Sequence, residues 1–339
     1  MRVLVTGGTG TIGSHVAADL LSRGHTVTAY ARTRSDAHRA LLPELGFIAG
    51  DVTDAARTRE ALTGMAAVIH LAAVTAPGRR PTLDLHAVNV TGTLNVLEGA
   101  VGAGVPTVIF GSSGAASGFS FQHRRLVPQY LPLDEAHPDR PQDPYGLSKL
   151  LGELACRGYT DAHGLRTICL RINHNWILSR TSAEFVTSAG LYQGRSIEDL
   201  WQERYVKCLT APDGEWPVPG PPRPAHLLWT YTDIRDAVSA FALALGAEHL
   251  HHEVFAINGF DTCSLAPTAE LLAEHFPEVP CRAPFPDHAS VVSFDKATHL
   301  LGYRPRHSWR ESDFHDWFTS LGSRSVNCSP IITTAYPVR

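Results

Sequence analysis

Through the first 170 residues, short apolar runs alternate with longer stretches in which apolar side chains recur every three or four positions. Arg2–Thr6, Thr26–Tyr30, Phe47–Ala49, Ala67–His70, Thr107–Phe110 and Thr167–Arg171 are rich in β-branched residues and nearly continuously apolar. That pattern suits strands buried on both faces of a parallel sheet. Ile12–Ser22, Leu85–Ala103 and Tyr145–His163 carry the helical period. Alternation of this kind predicts an α/β chain built on a doubly wound parallel sheet.

Beyond residue 172 the pattern changes. Helical periodicity returns at Asp233–Leu245, Ala266–His275, Asp295–Leu301 and Trp309–Leu321, with a strand at Val254–Ile257. Residues 212–224 hold six prolines (212, 217, 219, 221, 222 and 224), which exclude regular structure there. A connection of this length is read as a lid or substrate loop, with a rigid spacer as the alternative. Residues 322–339 show no helical period and are read as a tail. The expected organisation is a sheet domain over 1–171, a smaller interleaved α/β substrate domain over 172–321 with segments returning to the first, and that tail.

Chemistry enters at the glycines. Thr6-Gly7-Gly8-Thr9-Gly10-Thr11-Ile12-Gly13 follows the first strand and opens the first helix. Glycine permits the tight turn and lets the backbone approach a pyrophosphate, whose charge the helix N-terminus favours. Gly7, Gly10, Thr11, Ile12 and Gly13 are therefore candidate contacts to a dinucleotide, and the sheet is expected to be of the Rossmann type. At the end of the second strand an acidic residue would bind the 2′-hydroxyl of NAD. This chain has Tyr30-Ala31-Arg32-Thr33-Arg34 instead. No carboxylate competes with a 2′-phosphate, and Arg32 and Arg34 stand ready to bind one, so NADP(H) is expected ahead of NAD(H).

The second chemical signal is a spacing. Lys149, one of only three lysines, lies four residues after Tyr145 in Asp143-Pro144-Tyr145-Gly146-Leu147-Ser148-Lys149. On a helix, positions i and i+4 share a face. A fixed ammonium near a phenol favours the phenolate and lowers its pKa from roughly 10, which makes Tyr145 a candidate acid/base near neutral pH. The alternative is a surface Tyr–Lys pair on an ordinary helix.

Composition narrows the field. A length of 339 residues at 44% hydrophobic suits one large α/β domain or two joined ones. A net charge of −4 leaves no electrostatic footprint for nucleic acid or an anionic membrane. The N-terminus runs straight into a strand, and no apolar stretch approaches a membrane span, so a cytoplasmic protein is expected. Six cysteines (156, 169, 208, 263, 281 and 328) are scattered without metal-like spacing and are expected to be reduced thiols. The one histidine cluster, His249-Leu250-His251-His252, is read as a solvated turn, and no metal is expected.

Further segments extend the pattern: Gly50-Asp51-Val52-Thr53-Asp54, Val68-Ile69-His70-Leu71-Ala72-Ala73, Asn89-Val90-Thr91-Gly92-Thr93 and Pro132-Leu133-Asp134-Glu135. Leu170-Arg171, Asp233-Ile234-Arg235-Asp236-Ala237 and Leu300-Leu301-Gly302-Tyr303-Arg304-Pro305 follow. With the glycine turn and the Tyr145/Lys149 pair, the chain resembles the extended short-chain dehydrogenases/reductases, the NAD-dependent epimerase/dehydratase family, over about residues 1–320. The resemblance implies that Asp51 and Val52 contact adenine and that Leu71, Ala72 and Ala73 line the path of pyrophosphate and ribose. It implies that Lys149 binds the nicotinamide ribose as well as tuning Tyr145. Ser113, counted back from Gly118, takes the catalytic hydroxyl's place, with Ser112 second; a loop serine bonded to local backbone is the alternative. Asn89 reads equally as a cofactor contact or a helix-start cap. Homodimers built on Leu85–Ala103 and Tyr145–His163 are a further expectation from the resemblance.

Departures from the family narrow the chemistry. Family dehydratases carry an acidic pair after the catalytic hydroxyl; Gly114-Ala115 stands there, so water elimination is not expected. Where many nucleotide-sugar enzymes place a diphosphate-gripping arginine, this chain has Trp229, leaving Arg223 or another residue to take that part. Trp176, Trp201, Trp216 and Trp229 could line an apolar pocket or fill a core. Ile172-Asn173-His174-Asn175-Trp176 replaces the family's Tyr-Gly-Pro, so Ile172 is expected beside the nicotinamide, with His174, Asn175 and Trp229 toward the substrate. The expected reaction is hydride transfer at a secondary alcohol or ketone, with Tyr145 exchanging the proton. A nucleotide-sugar or sugar epimerase with tightly bound NAD is the alternative, and a non-catalytic NADPH sensor a third reading.

Overall fold

The protein is described here from a computed structural model covering residues 1–191, 195–202, 205 and 228–320. Its strands in chain order are β1 (Arg2–Thr6), β2 (Thr26–Ala31), β3 (Gly46–Ala49), β4 (Ala67–His70), β5 (Thr107–Ser113) and β6 (Arg166–Ile172). Then come β7 (Asn175–Trp176), β8 (Thr232–Asp233) and β9 (His252–Ile257). Seven of them form one sheet in the order β3-β2-β1-β4-β5-β6-β9, every pairing parallel, while β7 and β8 pair as a separate small ladder. The order reverses between β1 and β4. A doubly wound sheet opens a ligand crevice at that switch, outside the carboxyl ends of its strands.

The helices are α1 (Thr11–Ser22), α2 (Asp36–Leu41), α3 (Ala55–Leu62), α4 (Thr82–His86), α5 (Gly92–Ala103) and α6 (Pro144–His163). They continue as α7 (Arg180–Ser188), α8 (Ile197–Trp201), α9 (Ile234–Gly246), α10 (Thr268–His275), α11 (Asp295–Leu301) and α12 (Asp313–Ser320). The strands are buried on both sides, as their unbroken apolar runs require: Val3, Val5, Ile69, Ile109 and Ile168 pack under α1 and α9, whereas Leu4, Val68, Val108 and Phe110 pack under α3 and α5. Leu85–Ala103 is not one regular helix. A π-turn at Ala87–Thr91 separates α4 from α5, and a helix interrupted in this way re-aims the side chains of the wide turn, here Asn89. The short helices α2, α3, α7 and α8, of five to nine residues, are too short for a period to be read from sequence.

The C-terminal half re-enters the sheet. β9 is its seventh strand, and α9 lies against α1. A second core gathers the aromatic residues of this half: Trp176 stacks on Tyr205 at 4.5 Å, with Phe314 edge-on at 6.1 Å. Trp176, Trp201 and Trp229 are all buried in this cluster, so these tryptophans fill a core rather than line an open pocket. Trp216 and the proline-rich stretch 212–224 lie outside the described residues, as do Arg223 and the segment read as a tail. Among the described residues, no helix is long and apolar enough to cross a membrane.

Candidate active site

One cleft of about 790 Å³ runs along the carboxyl ends of β1, β2, β4, β5 and β6. At its floor is the glycine turn. Gly7 has φ +67, and a Cβ there would sit 2.8 Å from Ala72 N; one at Gly13 would sit 2.2 Å from Gly7 O. Only glycine lets the turn, the β4 end and α1 meet so closely. Gly10 begins α1 with no side-chain cap, which leaves the helix's first N–H groups directed at the cleft. A cradle that a Cβ would fill, ending on an uncapped helix N-terminus, fits the diphosphate of a dinucleotide.

The end of β4 is fixed by a directional chain of hydrogen bonds. Thr6 Oγ1 accepts from Leu71 N at 3.1 Å and Ala72 N at 3.2 Å, so its own proton goes to His70 Nδ1, 2.6 Å away. His70 must then carry its proton on Nε2, which donates to Thr93 Oγ1 at 3.0 Å; Thr93 donates in turn to Asn89 O at 2.6 Å. Burial and the Lys149 charge hold His70 neutral, with its pKa pushed down to about 3. The chain holds Leu71 and Ala72 where they line the cleft.

At the other end of the cleft, α6 presents the catalytic candidates. Asp143 caps the helix by accepting from Tyr145 N and Gly146 N, both at 2.9 Å, and Pro144 presets the first turn. Tyr145, Lys149 and Ser113 all line the cleft, and the Ser113 hydroxyl is placed to hydrogen-bond the phenol. Lys149 Nζ donates to Gly111 O at 2.7 Å and stands 5.9 Å from the Tyr145 ring centroid. The expected lowering of the tyrosine pKa does not occur in this state. Burial pushes it up, and Ser113 and Arg79 offset only part of that. Burial also brings Lys149 down to about 8. Tyr145 therefore stands as a neutral acid with a proton to give.

Beside the catalytic turn, position 114 has no room for a side chain. A Cβ on Gly114 would lie 1.6 Å from Asn173 Oδ1, so the carboxamide of Asn173 occupies the space where an acidic side chain would otherwise project. His174 is held at φ +22 with its Nδ1 accepting from Trp176 Nε1 at 3.2 Å, and it lines the cleft with Asn175. Asn175 Oδ1 is buried without a protein partner, a state a bound ligand would relieve.

Most sequence candidates line this cleft. Gly7, Gly10, Thr11, Ile12, Gly13, Arg32, Asp51, Val52, Leu71, Ala72, Ala73 and Ile172 stand there with the catalytic three and with His174 and Asn175. Three expected residues do not line it. The Arg34 guanidinium donates to Leu42 O at 2.5 Å and Leu45 O at 2.8 Å, closing the end of α2. Asn89 clamps the chain at Val74, accepting from its N at 2.7 Å and donating to its O at 2.9 Å, and reaches Ser148 Oγ at 3.0 Å. It is neither a cleft residue nor a helix-start cap. Trp229 is buried against His275 and Phe276. The residues that sequence reasoning missed are Arg79, Arg80, Ser120, Phe121 and Asn173; the first four line the cleft. The double-basic turn Pro77-Gly78-Arg79-Arg80-Pro81 directly after β4 was the signal for two of them.

A doubly wound sheet, an uncapped glycine turn and a Ser–Tyr–Lys convergence define a Rossmann-type dinucleotide enzyme of the short-chain dehydrogenase kind. Residues 3–188 match the model of the NAD dependent epimerase/dehydratase family, and the chain belongs to that family. It is 28% identical to a UDP-glucose 4-epimerase of Corynebacterium glutamicum, over 96% of this chain and 98% of that protein. Its fold resembles that of a UDP-glucose 4-epimerase from Thermotoga maritima solved with UDP-glucose (TM-score 0.65, 23% identity, covering 95% of this chain and 100% of the other). It also resembles a short-chain dehydrogenase/reductase superfamily protein from Agrobacterium tumefaciens with bound NAD (TM-score 0.64, 23% identity, 96% and 100%).

His70 gives the site a measurable pH signature. Its folded pKa lies below the unfolded value of roughly 6.5, so the unfolded state binds the extra proton and stability falls as pH drops from about 6.5 toward 3. Urea unfolding should show about 1 kcal/mol less stability at pH 5.5 than at pH 7.5 from this group. That increment should vanish in His70→Asn; an unchanged pH slope in the variant would refute a neutral buried imidazole.

Proposed function

We propose that the enzyme catalyses hydride transfer at a secondary alcohol or ketone, with Tyr145 exchanging the proton. The observation that carries this reading is the convergence of Ser113, Tyr145 and Lys149 on one end of the cleft, with Asn173 rather than an acid beside the turn. A bound nicotinamide dinucleotide supplies or accepts the hydride. In reduction, the neutral phenol of Tyr145 gives its proton to the carbonyl oxygen. Ser113 hydrogen-bonds that oxygen and fixes its line of approach. Lys149, positive at neutral pH, stabilises the phenolate left behind, and solvent restores the proton. Oxidation runs the same proton path backwards. Tyr145→Phe should lower kcat at least about 100-fold while leaving the cofactor Kd unchanged in a fluorescence titration; wild-type turnover in that variant would sink the assignment.

The finer cofactor preference we assign to NADP(H). Arg32 lines the cleft, is exposed, and stands at the end of β2, where this chain has no carboxylate. Arg34 is committed to the Leu42 and Leu45 carbonyls, so the preference rests on Arg32 alone. Direct titration should give tighter binding for NADP(H) than for NAD(H). Arg32→Ala should weaken NADP(H) about tenfold with NAD(H) unmoved; the reverse order in the wild type would overturn the preference.

A second reading is epimerisation, in which the hydride returns to the opposite face and the same three residues handle the proton. It is favoured by the C. glutamicum relative, a UDP-glucose 4-epimerase matched over nearly the whole chain. Protein purified with stoichiometric, non-exchanging NAD supports this reading, whereas empty protein that consumes NADPH supports the reductase.

A homodimer completes the proposal. Leu147, Leu151 and Leu154 form an exposed stripe at helical spacing on α6, with exposed Leu94 on α5. Pairing these helices across a two-fold axis would bury the stripe. Sedimentation at micromolar concentration should give a dimer, and Leu154→Glu a monomer; a monomeric wild type would contradict the pairing.

A further inference from the structure

The cleft is unequal in charge along its length. Among the described lining residues Asp51 is the one carboxylate, and it stands just past the end of β3, with Arg32 just past the end of the neighbouring β2. At the catalytic end the lining holds Arg79, Arg80, Lys149 and His174. Lys149 is spoken for by Gly111 O. Arg79 and Arg80 are exposed, and neither is ion-paired to a carboxylate among the described residues. Two guanidinium groups left open in a cleft whose described lining holds no carboxylate but Asp51 are a recognition element for an anion.

The backbone that carries them is preset. Pro77 and Pro81 fix their own φ, and Arg80, before Pro81, is restricted to extended conformations. Gly78 makes the turn at φ +76, and α4 starts at Thr82. Little conformational entropy is lost when such a turn binds a ligand. The charge of Arg79 also reaches Tyr145, pulling its phenol downward against burial. This guanidinium therefore belongs to the catalytic end. The diphosphate of a dinucleotide has its own cradle at the glycine turn.

We propose that Arg79, with Arg80 beside it, anchors an anionic group of the substrate, a carboxylate or a phosphate oxygen carried near the reacting carbon. The assignment rests on the hydride-transfer reading above and supplies its substrate class. A guanidinium accepts such a group through two parallel N–H···O bonds, which orient as well as attract. With the anion held there, the neighbouring hydroxylated carbon is directed toward Ser113 and Tyr145. Arg79 would thereby take the part of the arginine that this chain lacks at position 229. The anion could belong to a sugar acid or to the diphosphate of a nucleotide sugar.

Calorimetry on the full-length protein saturated with oxidised dinucleotide tests this with three probes: D-galacturonate, D-galactose and UDP. The acid and the neutral sugar differ at one carbon, and UDP presents the diphosphate alone. At least one anionic probe should bind about tenfold or more tighter than D-galactose. Arg79→Gln should remove that advantage without changing the dinucleotide Kd, and Arg79→Lys should restore only part of it. Dependence on Arg79 with galacturonate places the anion on a sugar acid, and dependence with UDP places it on a nucleotide sugar. Three results overturn the anchor: no anionic advantage in the wild type, an advantage that persists in Arg79→Gln, or a matching loss of dinucleotide affinity. Turnover, followed by the absorbance of reduced dinucleotide, is scored separately. Arg79-dependent binding of galacturonate without its turnover sinks the hydride-transfer reading alone; turnover with Arg79-independent binding sinks the anchor alone.

Discussion

The register of α6 against the ends of β5 and β6 is the constraint on which the active site depends, and buried charge sets it. Arg171 of β6 reaches Glu153 of α6 at 2.6 Å and Asp139 at 2.7 Å. Ser112, at the end of β5, donates to the same Glu153 at 2.5 Å, and one helical turn earlier Lys149 donates to Gly111 O. The Arg171 and Glu153 side chains are only 7% and 4% exposed, so each would be strongly disfavoured without its partner. A slip of α6 by one residue would break all of these contacts together. Tyr145 lies on the same rigid helix, eight residues before Glu153, so the lock that satisfies Arg171 also fixes where the phenol stands relative to Ser113.

Burial of that helix face has a chemical cost that the spacing alone does not reveal. The Tyr–Lys pair at i and i+4 does share a face, but the ammonium turns to Gly111 O instead of toward the phenol. Desolvation then dominates and keeps the tyrosine protonated. A neutral Tyr145 suits protonation of a substrate oxygen, and it becomes a base only when positive charge gathers around it. Arg79 supplies part of that charge. The protein thus leaves the proton affinity of Tyr145 sensitive to what occupies the cleft.

Much of the fold was legible in the sequence because parallel strands buried on both faces leave an unmistakable apolar signature, and the Gly7–Gly13 turn sits between such a strand and a helix. The floor of the cleft followed from that turn. Failures came where a side chain had two available partners and only three-dimensional packing chose between them. Arg34 lies only two residues beyond Arg32, yet it closes the carbonyls at the end of α2. Asn89 reads equally as a cofactor contact or a cap, but the π-turn directs it to Val74 and Ser148 instead. Trp229 aligns with a substrate residue and is instead a wall of the aromatic core. Arg79 was passed over for the opposite reason: it lies in a loop without periodicity, and only the sheet topology brings that loop to the catalytic helix.

Gly114 and Asn173 show how a single vacancy redirects the chemistry. With a side chain at 114, the Asn173 carboxamide could not approach the turn; with glycine there, it fills the space. A carboxamide donates and accepts hydrogen bonds but does not titrate, so it can orient a hydroxyl and cannot take a proton from carbon. Under the proposed reading proton transfer at this end of the cleft falls to Tyr145, with Lys149 and His174 the other titratable side chains lining it there. Under the proposed reading the site moves a hydride and one proton at a single carbinol centre, and its described lining holds no carboxylate but Asp51 to act as the second base that elimination at the adjacent carbon requires. Under the proposed hydride transfer, Ser113 and Ser120 present neutral polar groups of the cleft wall to a hydroxylated substrate, while the nearby guanidinium groups take its charge.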